Sequence, residues 1–61
     1  GIYFNALQAA SAFGNISIVR LLLQNGADAN AQGGIFSTAL QAASYHGHID
    51  IVELLLEMGA E

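Results

Sequence analysis

The chain reads as an all-α protein, two stacked helix-turn-helix units joined by a hairpin-like loop, and three observations predict this. The six letters Ala6-Leu7-Gln8-Ala9-Ala10-Ser11 return as Ala39-Leu40-Gln41-Ala42-Ala43-Ser44, a period of 39 − 6 = 33 residues. Each copy of that run is preceded by a helix-capping residue. Each is followed by an apolar stripe at helical spacing that ends on Asn25-Gly26 or Met58-Gly59. A fixed period of this size marks one supersecondary unit that buries its faces by stacking on its neighbours.

Offsetting the chain by one period extends the match well beyond the six letters. Gly1 falls on Gly34, Ile2 on Ile35, Gly14 on Gly47, Ile16 on Ile49 and Ile18-Val19 on Ile51-Val52. Leu21-Leu22-Leu23 falls on Leu54-Leu55-Leu56, and Gly26-Ala27 on Gly59-Ala60. The mismatches are mostly polar exchanges such as Arg20 with Glu53, or loop changes. We therefore expect two units, 1–33 and 34–61, the second incomplete.

Gly1 to Phe4 leads into the first helix. Asn5 is a good N-cap with Gln8 three residues later, and Thr38 with Gln41 repeats the arrangement as a capping box, the Gln expected to reach back to the cap. The run from Ala6 to Ala12 is small-faced, with Leu7 its one large aliphatic side chain, so a neighbouring helix can approach closely. Gly14 ends it and Asn15 continues the turn, matched by Gly47 and His48. A connection this short makes the next helix an antiparallel neighbour. There Ile16, Val19, Leu22 and Leu23 form the stripe, Ile18 and Leu21 widen it, and Ser17, Arg20 and Gln24 fill the other face. The breadth of the stripe predicts packing on both the partner helix and adjacent units.

Asn25-Gly26 alone would suggest a type I′ hairpin turn. Met58-Gly59 in the second copy keeps the Gly and loses the Asn, which favours a left-handed helix C-cap at both places. From Ala27 to Ser37, Asp28, Asn30 and Gly33-Gly34 suit tight turns, hence a projecting hairpin-like loop.

Composition bounds what such a chain does. At 61 residues it is one domain at most, with burial only marginally offsetting chain entropy. Apolar residues make up 54% and charged residues 10%, against roughly 45–50% and about 25% in soluble domains. That much apolar surface predicts that something else covers the ends of the stack. With no cysteine, neither a disulfide framework nor a thiolate metal site is available. The longest uninterrupted Leu run is three residues, far from the roughly 18–20 of a membrane span. No signal peptide is visible, and a start at Gly1 rather than Met suggests a fragment or processed piece. Arg20 is the one Lys or Arg beside five carboxylates, and the resulting charge of −4 repels nucleic acid.

With the period, the paired helices and the turn-rich loop in place, the chain resembles the ankyrin repeat. That family's pattern runs cap-x-Leu-x-x-Ala-Ala, Gly-His, Ile-Val-x-Leu-Leu-Leu, then Gly-Ala-Asp-x-Asn-Ala. Asn5 to Ala10, Gly14, Ile18 to Leu23 and Gly26 to Ala31 carry it in the first copy. Thr38 to Ala43, Gly47-His48, Ile51 to Leu56 and Gly59-Ala60 carry it in the second. The usual Thr-Pro-Leu-His is here Asn-Ala-Leu-Gln or Thr-Ala-Leu-Gln, which removes the preorganising proline. The Ala-Leu-Gln-Ala-Ala-Ser form with Ala-Gln-Gly-Gly in the loop looks like long fungal ankyrin arrays, many attached to nucleotide-binding signalling domains. The resemblance implies an ankyrin solenoid, a non-catalytic protein-interaction role, no cofactor and a cytoplasmic location.

No residue pattern points to chemistry. His46-x-His48 with Asp50 nearby suggests a metal, but zinc needs three or four ligands and no second cluster exists. No nucleophile has an activating partner, and Glu53 and Glu57 lie side by side on a solvated face. Gly33-Gly34 lacks the spacing and the Lys of a phosphate loop. By family position the partner-binding residues are Gln32, Ile35, Ser37, Tyr45 and His46, with Phe4, Ala12 and Phe13 as their first-copy counterparts. Aromatic residues suit interface anchors, while Tyr3 and Phe36 are expected to pack between neighbouring repeats.

Two functions fit. The chain is a piece of a longer array that binds a protein through its loop tips and inner helices. Alternatively it is a structural unit that stacks on copies of itself, head to tail, into a filament or tube.

Overall fold

The computed structural model describes residues 5–61. Within them lie four helices, α1 (Ala6–Phe13), α2 (Ile16–Gln24), α3 (Ala39–Tyr45) and α4 (Ile49–Glu57). Helix α1 packs on α2 and α3 on α4, making two helical hairpins, and the hairpins join through α1 on α3 and α2 on α4. The result is two layers, the short small-residue helices in one and the longer aliphatic helices in the other.

The helix starts follow from capping chemistry. Asn5 is extended (φ −151°, ψ 176°) and its Oδ1 accepts from the Gln8 amide at 2.8 Å. Thr38 Oγ1 accepts from the Gln41 amide at 3.2 Å, and Asn15 Oδ1 from the Ile18 amide at 3.3 Å. Each satisfies one of the N–H groups that a helix start leaves without a partner. His48 occupies the corresponding place before α4 without making a side-chain cap bond.

The stops are equally local. After α2 the Ala27 amide donates to Leu22 O at 3.0 Å and the Gly26 amide to Leu23 O at 3.2 Å. After α4 Ala60 and Gly59 repeat both bonds, to Leu55 O and Leu56 O. With Gly26 at φ 92° and Gly59 at φ 94°, both ends are Schellman caps, so Asn25-Gly26 closes a helix rather than turning a hairpin. Helix α1 continues one residue beyond Ala12, placing Phe13 in its last turn.

The core runs through both hairpins as one cluster that includes Leu7, Val19, Leu23, Ile51, Leu54 and Leu55. Fully burying a side chain of this kind contributes about 1.5–3 kcal/mol. Of the broad α2 stripe, Val19 and Leu23 are buried, Ile16 and Leu22 are half-buried, and Ile18 and Leu21 face solvent. The widening of the stripe is thus a second face, separate from the one that meets α4.

The Gln8 side chain is buried, and its Nε2 donates forward to Gly33 O at 2.9 Å and Ser37 O at 3.1 Å. The amide is an inter-repeat tie because α1 lies against the loop that leads into α3.

Candidate protein-interaction surface

The loop between the hairpins is built from its own hydrogen bonds. Asp28 Oδ1 accepts from the Asn30 amide at 2.9 Å, an Asx turn of the kind this residue type favours. Asn30 then bridges to the second unit, its Nδ2 donating to Gly59 O at 3.0 Å and its Oδ1 accepting from the Glu61 amide at 2.8 Å. Farther along, Gly33 and Ser37 form an antiparallel bridge, with the Gly33 amide donating to Ser37 O at 2.9 Å. Gly34, Ile35 and Phe36 make the tip, and Ser37 closes it at φ 73°, in the left-handed region that a side chain rarely enters.

This tip brings Phe36 over the C-terminal end of α3. Its ring centroid lies 5.3 Å from that of Tyr45 and 5.5 Å from that of His46, and Tyr45 and His46 are 5.1 Å apart. The tilted and edge-on geometries are those aromatic rings prefer. His48 extends the group, stacked on His46 at 6.1 Å. Its Nε2 lies 3.1 Å from Ala12 O, at the C-terminal end of α1 and 36 residues away in the chain. One end of the two-layer stack therefore carries four rings from the second unit, tied to the first.

The residues expected at a partner surface divide accordingly. Tyr45 and His46 join Phe36 in the ring group, and Tyr45 is still 76% exposed. Ile35 is exposed at the loop tip, and Gln32 is exposed just before the Gly33–Ser37 bridge. Ser37 is exposed too, with its carbonyl engaged by Gln8 and Gly33. Phe13 is exposed at the end of α1, in the position His46 holds on α3, while Ala12 is buried. Phe4 and Tyr3 lie outside the described residues. Phe36, expected to pack between neighbouring repeats, is half-buried and also meets the rings of Tyr45 and His46. Sequence reasoning left it out of the surface because its neighbours are nine and ten positions away, at no local spacing.

Among the described residues, no group of three or more His, Cys, Asp or Glu is placed to hold a metal, and no helix is long and apolar enough to cross a membrane. Paired antiparallel helices stacked in two layers, with a turn-rich loop between pairs, define a helical-repeat solenoid. The profile of the family described as ankyrin repeats (many copies) matches residues 6–56. The chain belongs to the ankyrin-repeat family. No curated protein matches it. Ankyrin repeats as a class are protein-protein interaction modules, typically without catalytic activity.

Proposed function

We propose that this chain contributes to a longer ankyrin array and binds a protein partner through the loop tip and the ends of the inner helices, with Tyr45 as the central contact. The observation that carries this reading is the state of Tyr45: 76% exposed, yet held on two sides by Phe36 and His46. A large exposed ring already fixed in place loses little conformational freedom on binding, which is the condition for an energetic anchor. Ile35, Gln32, Ser37, His46 and Phe13 complete the surface around it, with Phe4 as the remaining position by family correspondence.

Selection of peptide or protein binders from a display library, with the contact mapped by amide chemical shifts, tests this. Shifts should concentrate at Ile35, Tyr45 and His46. Tyr45→Ala should weaken binding at least tenfold while changing stability by no more than about 0.5 kcal/mol, as for other exposed positions. Unchanged affinity would remove Tyr45 from the surface, and a large loss of stability would make it a packing residue.

A second reading, a structural unit stacking on copies of itself, is favoured by a separate observation. The outward faces of the two units carry the same residues as the faces joined between them.

A further inference from the structure

Asn25 and Gly26 close α2, and the same two residues carry a chemistry of their own. Among the asparagines of the chain, Asn25 alone precedes a glycine; Asn5 and Asn30 precede alanine, and Asn15 precedes isoleucine. An asparagine side chain and the next main-chain nitrogen can join in a five-membered imide, a reaction that makes asparagine thermolabile. A following glycine leaves that nitrogen unshielded and its backbone free to turn. Both residues are exposed, so water reaches the reacting atoms.

The helix end holds the two reacting groups apart. Asn25 has ψ 17°, so the Gly26 nitrogen nearly eclipses Asn25's own nitrogen and lies away from Cβ and the amide carbon beyond it. The Gly26 amide donates to Leu23 O at 3.2 Å, and Asn25 Nδ2 donates to Leu21 O at 2.8 Å. Closing the imide turns ψ and breaks both bonds. They belong to the last turn of a helix, which opens at lower cost than the core. Met58-Gly59 ends α4 with the same main-chain pattern, Gly59 donating to Leu56 O at 3.2 Å and Ala60 to Leu55 O at 2.9 Å. The cap therefore forms without an asparagine, and the side-chain amide is what the first unit adds.

We propose that Asn25 is a site of spontaneous deamidation gated by the last turn of α2. When the turn opens, the Gly26 amide gives its proton to solvent base and its nitrogen attacks Asn25 Cγ. The N–Cγ bond forms, the Cγ–Nδ2 bond breaks, and Nδ2 takes a proton from water and leaves as ammonia. Water then opens the imide. Cleavage at Cγ gives aspartate, and cleavage at the main-chain carbonyl gives isoaspartate, in which the main chain runs through Cγ. One water is consumed, one ammonia is released, and nothing is oxidised or reduced.

Neither product rebuilds the original end. Aspartate has no Nδ2 to donate to Leu21 O, and it places a negative charge at a helix C-terminus, where the dipole opposes it. Isoaspartate adds a methylene to the main chain just before Gly26, which puts the Gly26 and Ala27 amides out of step with Leu23 O and Leu22 O. The modification thus removes the bonds that restrained it, at the start of the loop that carries Asn30 to Gly59 O.

Mass spectrometry of the full chain after incubation at mildly alkaline pH tests this, with a peptide of residues 22–28 as the unprotected reference. Residue 25 should gain the mass of OH in place of NH2, and fragmentation should show both isoaspartate and aspartate, while Asn5, Asn15 and Asn30 stay intact. The chain should react about tenfold or more slowly than the peptide, because only the opened turn is competent. In the modified chain the Gly26 and Ala27 amides should lose protection from hydrogen exchange. Asn25→Met, which copies Met58, should abolish the reaction and keep the helical circular dichroism. Equal rates in chain and peptide overturn the gating, and an intact Asn25 in the chain long after the peptide is spent overturns the site. Faster conversion at another asparagine overturns it as well.

Discussion

Gln8 has its side-chain amide buried at 1% exposure and donates to two carbonyls of the loop. Removing a buried donor with two acceptors costs about 1–3 kcal/mol, since carbonyls that lose it are left partly unpaired. Gln8→Ala should accordingly lower the melting temperature by about 4–8 °C per kcal/mol for a domain of this size. Gln41→Ala, the same exchange at an exposed position, should change stability by less than about 0.5 kcal/mol. Gly14 and Gly47 give a second matched pair. Both are left-handed, at φ 82° and φ 75°, so alanine costs about 1–2 kcal/mol at either on backbone grounds. A Cβ at Gly14 would in addition lie 2.6 Å from His48 Cε1, whereas one at Gly47 meets nothing within 4 Å. Gly14→Ala should therefore be the more damaging, because the imidazole must give up its place at Ala12 O. Repeating it in a His48→Ala background should shrink the gap, and chemical denaturation of the four proteins in that double-mutant cycle measures the coupling.

Helix α4 has its charges divided unevenly along its axis. Asp50 sits in the first turn, where negative charge is favourable, and its Oδ1 accepts from the Ile51 amide at 2.8 Å. Glu57 sits in the last turn, against the helix dipole and four residues from Glu53, with which it repels. Glu57→Lys reverses both effects at an exposed position and creates a Glu-to-Lys pair in the favoured order. It should stabilise the chain by about 0.5–1 kcal/mol in low salt and by less in high salt, read from urea denaturation at two ionic strengths.

At the scale of the whole molecule, the self-stacking reading ties folding to association. A chain of 61 residues has a small core, and any joint that covers Ile18, Leu21 and Leu56 adds burial available only to the folded state. The melting temperature should consequently rise with protein concentration. It should also rise with moderate salt, which screens the repulsion between copies that each carry −4. Calorimetry over a hundredfold concentration range checks this, and a melting temperature independent of concentration would mean that folding proceeds without the joint.

Sequence alone determined the elements and their order. The period, the caps at Asn5 and Thr38, and the Gly26 and Gly59 stops depend on residues a few positions apart, and local backbone chemistry settles them. Tertiary structure decided which of two identical residues is inside. Nothing in Ala-Leu-Gln-Ala-Ala-Ser distinguishes its copies, yet Gln8 and Ser11 are buried while Gln41 and Ser44 are exposed. Burial belongs to the neighbour, and among the described residues the first copy has another hairpin on that side. The ring group of the candidate surface was half legible for the same reason. Tyr45 and His46 could be placed at a helix end from the repeat, but the meeting with Phe36 and the reach of His48 to Ala12 required the loop to fold back through Ser37. Contacts across that distance have no spacing in the chain that encodes them.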